Sequence, residues 1–376
     1  MAAGYDLLVL GGGIIGCSIA WGAATAGARV AVIDAGDDAF RASTGNFGLL
    51  WTQGKGANAP AYARWTRASA DLWPEFADAL IGASGIDFDF QQEGGIQFVL
   101  SEADADKRRR SLAGPGETKD PFDVEFLPGD ELRRMVPEVG PDVPGATYCR
   151  RDGVVNPLLL LRAFRRVLVD AGVAVLQGHP ARRIERSATG FSVSVGHRRL
   201  DADKLVLAAG LANRELGKAV GIDVALFPQR GHLMVTERLP RFLSLPNSTV
   251  RQSREGTVLI GSTQEDAGYD KSADVGMLAG LSARAIRVFP RLGQARMVRG
   301  WACLRVMTPD GLPVYEQSSS QPGAFVATAH SGVTLAAIHA RRLAPAILAG
   351  ALPAELGAFR ANRFGAWESH AGGSSH

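Results

Sequence analysis

Tyr5-Asp6-Leu7-Leu8-Val9-Leu10-Gly11-Gly12-Gly13-Ile14-Ile15-Gly16 decides the fold. The first six residues have the composition of a buried strand. Gly11-x-Gly13-x-x-Gly16 follows, and a helical pattern runs from Ile14 to Ala26. Gly27 ends that helix, and Arg29 to Ile33 forms a second apolar run that closes on Asp34, 18 residues after Gly16. A glycine turn between a strand and a helix, followed by an acid at the end of the next strand, is the dinucleotide-binding context. Gly11 permits the tight turn, and Gly13 lets the backbone approach a pyrophosphate at the positive end of the helix. Gly16 lets helix and strand pack closely, and Asp34 accepts from adenosine ribose hydroxyls. Ile14, Ile15 and Ala35 complete the cofactor-binding set expected here.

The chain has 376 residues, 46% hydrophobic and 21% charged. That length predicts two to three domains and excludes disorder as the main state. Basic and acidic residues number 41 and 38, for a net charge of +3, which argues against a nucleic-acid binder. Cys17, Cys149 and Cys303 are too few for a disulfide framework or an iron–sulfur cluster, and no metal site is expected. No basic leader opens the chain, and no uncharged apolar run reaches the length of a membrane span. The expectation is a cytoplasmic protein without a transmembrane segment. The tail Ala371–His376 reads as a flexible end.

Further along, residues 41–55 are rich in Gly, Ser, Asn and Thr and suggest a functional loop. Tyr62–Ile81 has helical periodicity, Phe88–Leu100 reads as strands, and Lys107–Arg110 reads as a solvated helix face. Pro115–Pro144 reads as loop. A helix is expected over 157–171, strands over 173–176, 191–195, 204–209, 231–236 and 257–261, and a helix over 275–289. Phe325–Ala329 is expected as a strand and Ser331–Gly350 as a helix.

The glycine signature does not separate NAD from FAD. The segments Asp203–Gly210, Thr308-Pro309-Asp310-Gly311-Leu312-Pro313 and Ala329-His330-Ser331-Gly332-Val333-Thr334 resemble the D-amino-acid oxidase-like superfamily of glycine and sarcosine oxidases. Arg41–Gly48, Leu304–Gly311 and His330–Leu335 look closest to a subgroup. It holds the catalytic subunits of D-hydroxyproline dehydrogenase, opine oxidase and hydrogen cyanide synthase. The resemblance implies an α/β fold: a Rossmann-like FAD-binding domain interrupted by an α+β substrate domain with a mostly antiparallel sheet. Residues near 1–54, 149–220 and 306–376 would form the first and 55–148 and 221–305 the second.

By the same resemblance Ser43, Thr44, Asn46 and Gly48 run past the flavin, and Ala181 sets a backbone amide against adenine. Ala209 and Gly210 close a dinucleotide-domain strand, and His330, Ser331, Gly332, Val333 and Thr334 open a helix facing the flavin. Arg305 anchors the substrate carboxylate, although Val306 replaces the proline usual after it. His232 and Tyr269 are further candidates on the substrate side. FAD is expected to be non-covalent; attachment at Cys303 is the alternative, since monomeric sarcosine oxidase has a flavin-attaching Cys at this spacing before Thr-Pro-Asp, where other relatives often carry Gly. Leu259 stands where sarcosine oxidase has an oxygen-activating lysine.

The implied reaction is FAD-dependent oxidation of the C–N bond of a secondary or D-amino acid, D-hydroxyproline-like, opine-like or N-alkylated, by hydride transfer from Cα to flavin N5. The product is an imine, and the electrons pass to an acceptor other than oxygen. The implied partners are an amino acid substrate and electron-transfer subunits. A hydrogen-peroxide-forming oxidase, or an FAD subunit of an electron-transfer complex, are the alternatives.

Overall fold

The computed structural model describes residues 4–36, 42–56, 58–112, 123–243, 245–365 and 367. Arg41, the start of the 115–144 stretch and the tail 371–376 lie outside the described residues.

The opening strand Tyr5–Leu10 lies at the middle of an eight-stranded sheet. It pairs in parallel with Val30–Asp34 on one side and Arg198–Leu207 on the other. Ala174–Gln177 and Ala324–Thr328 extend the parallel run outward. These strands read as unbroken apolar runs because both faces are covered: Leu7, Leu8, Val9, Val206 and Leu207 are wholly buried. One face carries the helices Ile14–Thr25 and Pro157–Asp170, Asn156 capping the latter by accepting from Leu158 N and Leu159 N. The antiparallel hairpin Ala181–Arg186 and Phe191–Val195 packs on Arg198–Leu207. Ala181 therefore opens a strand that lies off the parallel run.

A second sheet is wholly antiparallel, in the order Val250–Gln252, Thr257–Gly261, Phe227–Arg238, Met297–Met307. A third joins Gly95–Val99, Gly145–Cys149 and Val124–Pro128. The helix Val275–Val288 and the inner faces of these two sheets share one apolar core around Ile96, Met234, Ile260, Leu281 and Phe289. The helix Pro60–Ser84 has proline at its first turn and left-handed Gly85 at its end. Its buried side Tyr62, Trp65, Ser69, Trp73, Phe76 and Leu80 follows the helical period.

Three expectations are corrected. Of Phe88–Leu100 only Gly95–Val99 is a strand, because Asp89 (φ 54°) and Gly94 (φ 106°) break the extended run. The 115–144 stretch contains the strand Val124–Pro128 and the helix Gly129–Met135. The helix expected from Ser331 begins at Ala336, after a turn, and passes through a π-helical turn at His339–Leu343 before Ala344–Ala349.

Candidate active site

Gly11 has φ 116°, and a Cβ there would lie 2.3 Å from the Ala208 carbonyl oxygen. A Cβ on Gly16 would lie 1.9 Å from the Gly11 carbonyl oxygen. The turn therefore presses strand, helix and neighbouring strand together at distances only glycine allows. Gly13 precedes the 12-residue helix with extended backbone, no side-chain cap and no acid in the first turn. Apart from Ile14 N, which Ser43 takes, the first-turn N–H groups and the positive dipole end remain for an anion. Asp34 braces the turn: Oδ2 accepts from Gly12 N at 2.6 Å and Oδ1 from Gly36 N at 2.8 Å. Ala35 is exposed between them in sequence.

The loop after residue 42 ties this turn to the antiparallel sheet. Ser43 Oγ accepts from Ile14 N at 3.1 Å. Asn46 braces the loop itself, donating through Nδ2 to Ser43 O at 2.8 Å and accepting from Gly48 N at 2.7 Å. Thr44 is half-buried beside them. Gly48 (φ 90°) passes so close to Val155 that a Cβ would stand 2.1 Å from its carbonyl oxygen. The Gly45 carbonyl accepts from Cys303 Sγ at 3.2 Å and Trp301 Nε1 at 3.4 Å. Ala209 N donates to Asn213 Oδ1, and Gly210 follows at φ 60°.

The His330–Thr334 turn is fixed from the helix Pro60–Ser84. Ser331 Oγ accepts from Tyr62 Oη at 3.0 Å, and Thr334 O accepts from Ser69 Oγ and Trp73 Nε1. Thr334 Oγ1 accepts from Trp51 N. These tertiary bonds, with Gly332, Val333 and Thr334 being weak helix formers, explain why regular helix starts only at Ala336. A Cβ on Gly332 would meet Ile15 at 3.3 Å, so this turn lies directly against the start of the glycine-turn helix. Val333 is buried. Desolvation, then the cations Lys55 and Arg305, push the His330 imidazole down to about 3 and keep it uncharged.

Side chains alternate across the strands Phe227–Arg238 and Met297–Met307. Trp301, Cys303 and Arg305, paired with Leu233, Gly231 and Gln229, share one face. This face meets the 43–48 loop through Phe47, Leu233, Leu259 and Cys303. Arg305 is held by neutral acceptors: Thr263 O at 2.6 Å, Ser262 Oγ at 2.8 Å and Gln229 Oε1 at 3.3 Å. No described carboxylate lies within ion-pair distance of it. Desolvation lowers its guanidinium from the ordinary value.

His232 is corrected by the same alternation. Its pairing with Ala302 sets it on the opposite face, wholly buried. Nε2 accepts from Asp274 N at 2.8 Å, so Nδ1 carries the hydrogen and meets Glu265 Oε1 at 2.7 Å. Both ring nitrogens are spent on the loop that carries Thr263, which makes His232 a structural residue. Tyr269 is also corrected. Arg230 grips Glu265 and Asp270 of that loop, and the Tyr269 ring is 62% exposed at its tip.

Sequence reasoning missed Gln229, Ser262 and Thr263, which orient Arg305, and the group around Asp152. Asp152 is wholly buried and accepts from Thr52 N (2.5 Å), Thr52 Oγ1 (2.6 Å) and Gln53 Nε2 (2.7 Å). It pins the loop that carries Lys55. Asp152→Ala is expected to cost about 2–4 kcal/mol by leaving buried donors unmet, read as a lower urea midpoint. Burial raises the Asp152 carboxyl from 3.8 to about 6. Because the folded value is the higher one, its contribution is full below 3.8 and is lost as pH rises through about 6. In Asp152→Asn that part of the pH dependence of stability should vanish.

A family model described as DAO, FAD dependent oxidoreductase, matches residues 6–346. The chain belongs to this family. An opine oxidase chain of Rhizobium meliloti, the second of that enzyme's lettered subunits, is 40% identical over 368 residues, covering 97% of this chain and 99% of that protein. Hydrogen cyanide synthase subunit HcnC of Pseudomonas aeruginosa is 30% identical, with 96% of each chain covered. The crystal structure of glycine oxidase from Geobacillus kaustophilus matches with a TM-score of 0.83 at 25% identity, over 96% of this chain and 98% of that one.

The protein is thus an FAD-dependent oxidoreductase acting on CH–NH groups of amino-acid-like substrates. Its fold is the mixed α/β fold that the resemblance implied. The donor set fits FAD: a helix start with free first-turn N–H groups beyond Ile14, behind glycines whose Cβ positions are already filled, and an acid at the end of the second strand. Among the described residues, no helix is long and apolar enough to cross a membrane.

Cys303 is buried, its thiol is pushed up to about 11 by burial, and it already donates to Gly45 O. Such a thiol is a poor nucleophile, in keeping with non-covalent FAD. Acid precipitation should leave the flavin in the supernatant; flavin that stays with the pellet would establish the covalent alternative.

Proposed function

We propose that the protein oxidises the C–N bond of a secondary or D-amino acid to the imine, with Arg305 holding the substrate carboxylate. The observation that carries this reading is the Arg305 guanidinium itself. It stands on the face that meets the flavin-side loop, is oriented by three neutral oxygens, and has no described carboxylate partner. A planar fork so prepared matches a carboxylate.

Segments near 1–54, 149–220 and 306–376 would hold FAD, and 55–148 and 221–305 would cover it. Gly11, Gly13–Gly16, Asp34, Ala35, Ser43, Thr44, Asn46, Gly48, Ala181, Ala209, Gly210 and His330–Thr334 would line it. When bound, FAD supplies the two-electron acceptor. The chain's own part is to bind the carboxylate, fix the amine's orientation and exclude water with the Phe47, Leu233 and Leu259 side chains. His232 points away from this face, and His330, pushed down to about 3 by desolvation and by the cations Lys55 and Arg305, is a weak base. The amine would therefore react in its neutral form.

Leu259 lies in an apolar cluster with Phe47, Leu233 and Cys303. An apolar side chain there supports an acceptor other than oxygen, and the names of the relatives, which mark them as subunits, support partner chains as that acceptor. The test is anaerobic: D-, L-, cyclic and N-alkyl amino acids are added singly and the visible flavin band is followed. A secondary or D-amino acid should bleach it, and the colour should return slowly in air. Bleaching by none of them overturns the reading, and rapid return in air would move it to a peroxide-forming oxidase.

A further inference from the structure

We propose that Gly231 is a positioning residue for Arg305: the space of its missing side chain is the seat of the guanidinium, and any side chain there displaces the fork from the substrate carboxylate. The inference rests on the reading of Arg305 as the carboxylate anchor.

Gly231 is buried inside the strand Phe227–Arg238, where glycine is a poor strand former. Backbone conformation does not call for it, since its φ is not left-handed. A neighbour does. A Cβ at residue 231 would stand 2.8 Å from Arg305 Nη2 and 2.9 Å from Arg305 Cζ, with Thr263 O at 3.0 Å. The register explains the approach. Gly231 pairs with Cys303 and Gln229 with Arg305, so Gly231 and Arg305 are diagonal neighbours on one face, within reach of a long side chain. Arg305 leans over Gly231 and from there donates to Ser262 Oγ and Thr263 O.

The far wall of this slot is braced. Thr263 Oγ1 accepts from His232 N and donates to Glu265 Oε1, both at 2.9 Å. Glu265 Oε2 accepts from Arg230 Nη2 at 2.9 Å, and the backbones of the two residues exchange hydrogen bonds. From the helix Val275–Val288, Arg284 Nη2 donates to Gly261 O at 2.6 Å. Strand backbone lies on one side of the guanidinium and a loop fixed by several bonds on the other. The guanidinium is the end of a flexible side chain, so it yields first when a Cβ enters. Its bonds to Ser262 and Thr263 are then lost, and with them the direction of the fork.

The test is a double-mutant cycle on the FAD-loaded protein: wild type, Gly231→Ala, Arg305→Ala and the two together. One readout is the melting temperature. The other is the dissociation constant of methoxyacetate, a carboxylate with an ether oxygen in place of the amine, followed by the shift of the flavin absorption spectrum. Alone, Gly231→Ala should lower the melting temperature and weaken methoxyacetate about tenfold or more, the effect of a fork displaced by about 1 Å. In the Arg305→Ala background the same change should not lower the melting temperature, and should leave the dissociation constant within about twofold. A glycine needed only for strand packing would give equal losses in both backgrounds. Equal losses, or a double variant that does not fold, overturn the proposal, as does Gly231→Ala with wild-type melting and wild-type binding. Coupling in the melting temperature, with methoxyacetate binding absent from the wild type or unchanged in Arg305→Ala, would keep the seat and fail the reading of Arg305 as the anchor.

Discussion

Arg305→Ala is expected to raise KM for every carboxylate-bearing amine substrate by about a hundredfold or more, the loss of roughly 3 kcal/mol in charge-assisted bonding. The size follows from how the guanidinium is held. Its acceptors are Gln229, Ser262 and Thr263, all neutral, so its charge is not spent within the described residues. Arg305→Lys keeps charge but loses the fork, and should recover only part of the affinity. Because Arg305 also holds the Ser262–Thr263 segment, structural damage must be separated from lost recognition. The separating measurement is KM for an amine without a carboxylate, which damage raises and lost recognition does not. An unchanged KM across carboxylate substrates in Arg305→Ala would sink the assignment.

The same residue shows how far the sequence could be read. The glycine turn, Asp34 and the parallel core were legible because each depends on local spacing: strand, turn, helix and acid fall within Tyr5–Asp34. Arg305 was singled out through resemblance, and its place is on the face that meets the 43–48 loop. His232 was misread because approach to a site is not decided by position along a strand but by parity. One residue from Gly231, it belongs to the other face. Tyr269 failed for a different reason: a loop residue's direction depends on distant grips, here Arg230 on Glu265 and Asp270. The late helix start at Ala336 reflects the claims of Trp51, Ser69 and Trp73 on Thr334, from residues more than 250 positions away. The 41–55 stretch reads as a functional loop from its Gly, Ser, Asn and Thr content. Nothing in that stretch announced Asp152, which pins it from about 100 residues away.

Gly16→Val should abolish FAD retention. A Cβ at residue 16 would stand 1.9 Å from the Gly11 carbonyl oxygen, with the Gly11 carbon at 3.0 Å and a Val9 methyl at 3.3 Å. The obstructing atoms are backbone, which no rotamer change can move aside. The helix Ile14–Thr25 must retreat from the strand Tyr5–Leu10, carrying its N-terminal end away from Ser43 and from the position braced by Asp34. A retreat of even 1 Å weakens every anion contact of the helix start together. The variant should purify with less than about a tenth of the wild-type flavin and show no rise in melting temperature when FAD is added. Gly82→Ala is the control. It lies in the helix Pro60–Ser84 with no atom within 4 Å of the new Cβ beyond the adjoining helix backbone and chain neighbours, and should keep its flavin while gaining up to about 1 kcal/mol of stability. A Gly16→Val protein that folds and carries a full complement of FAD would separate this turn from the cofactor, and the family's FAD would then have to be held by other residues of the chain.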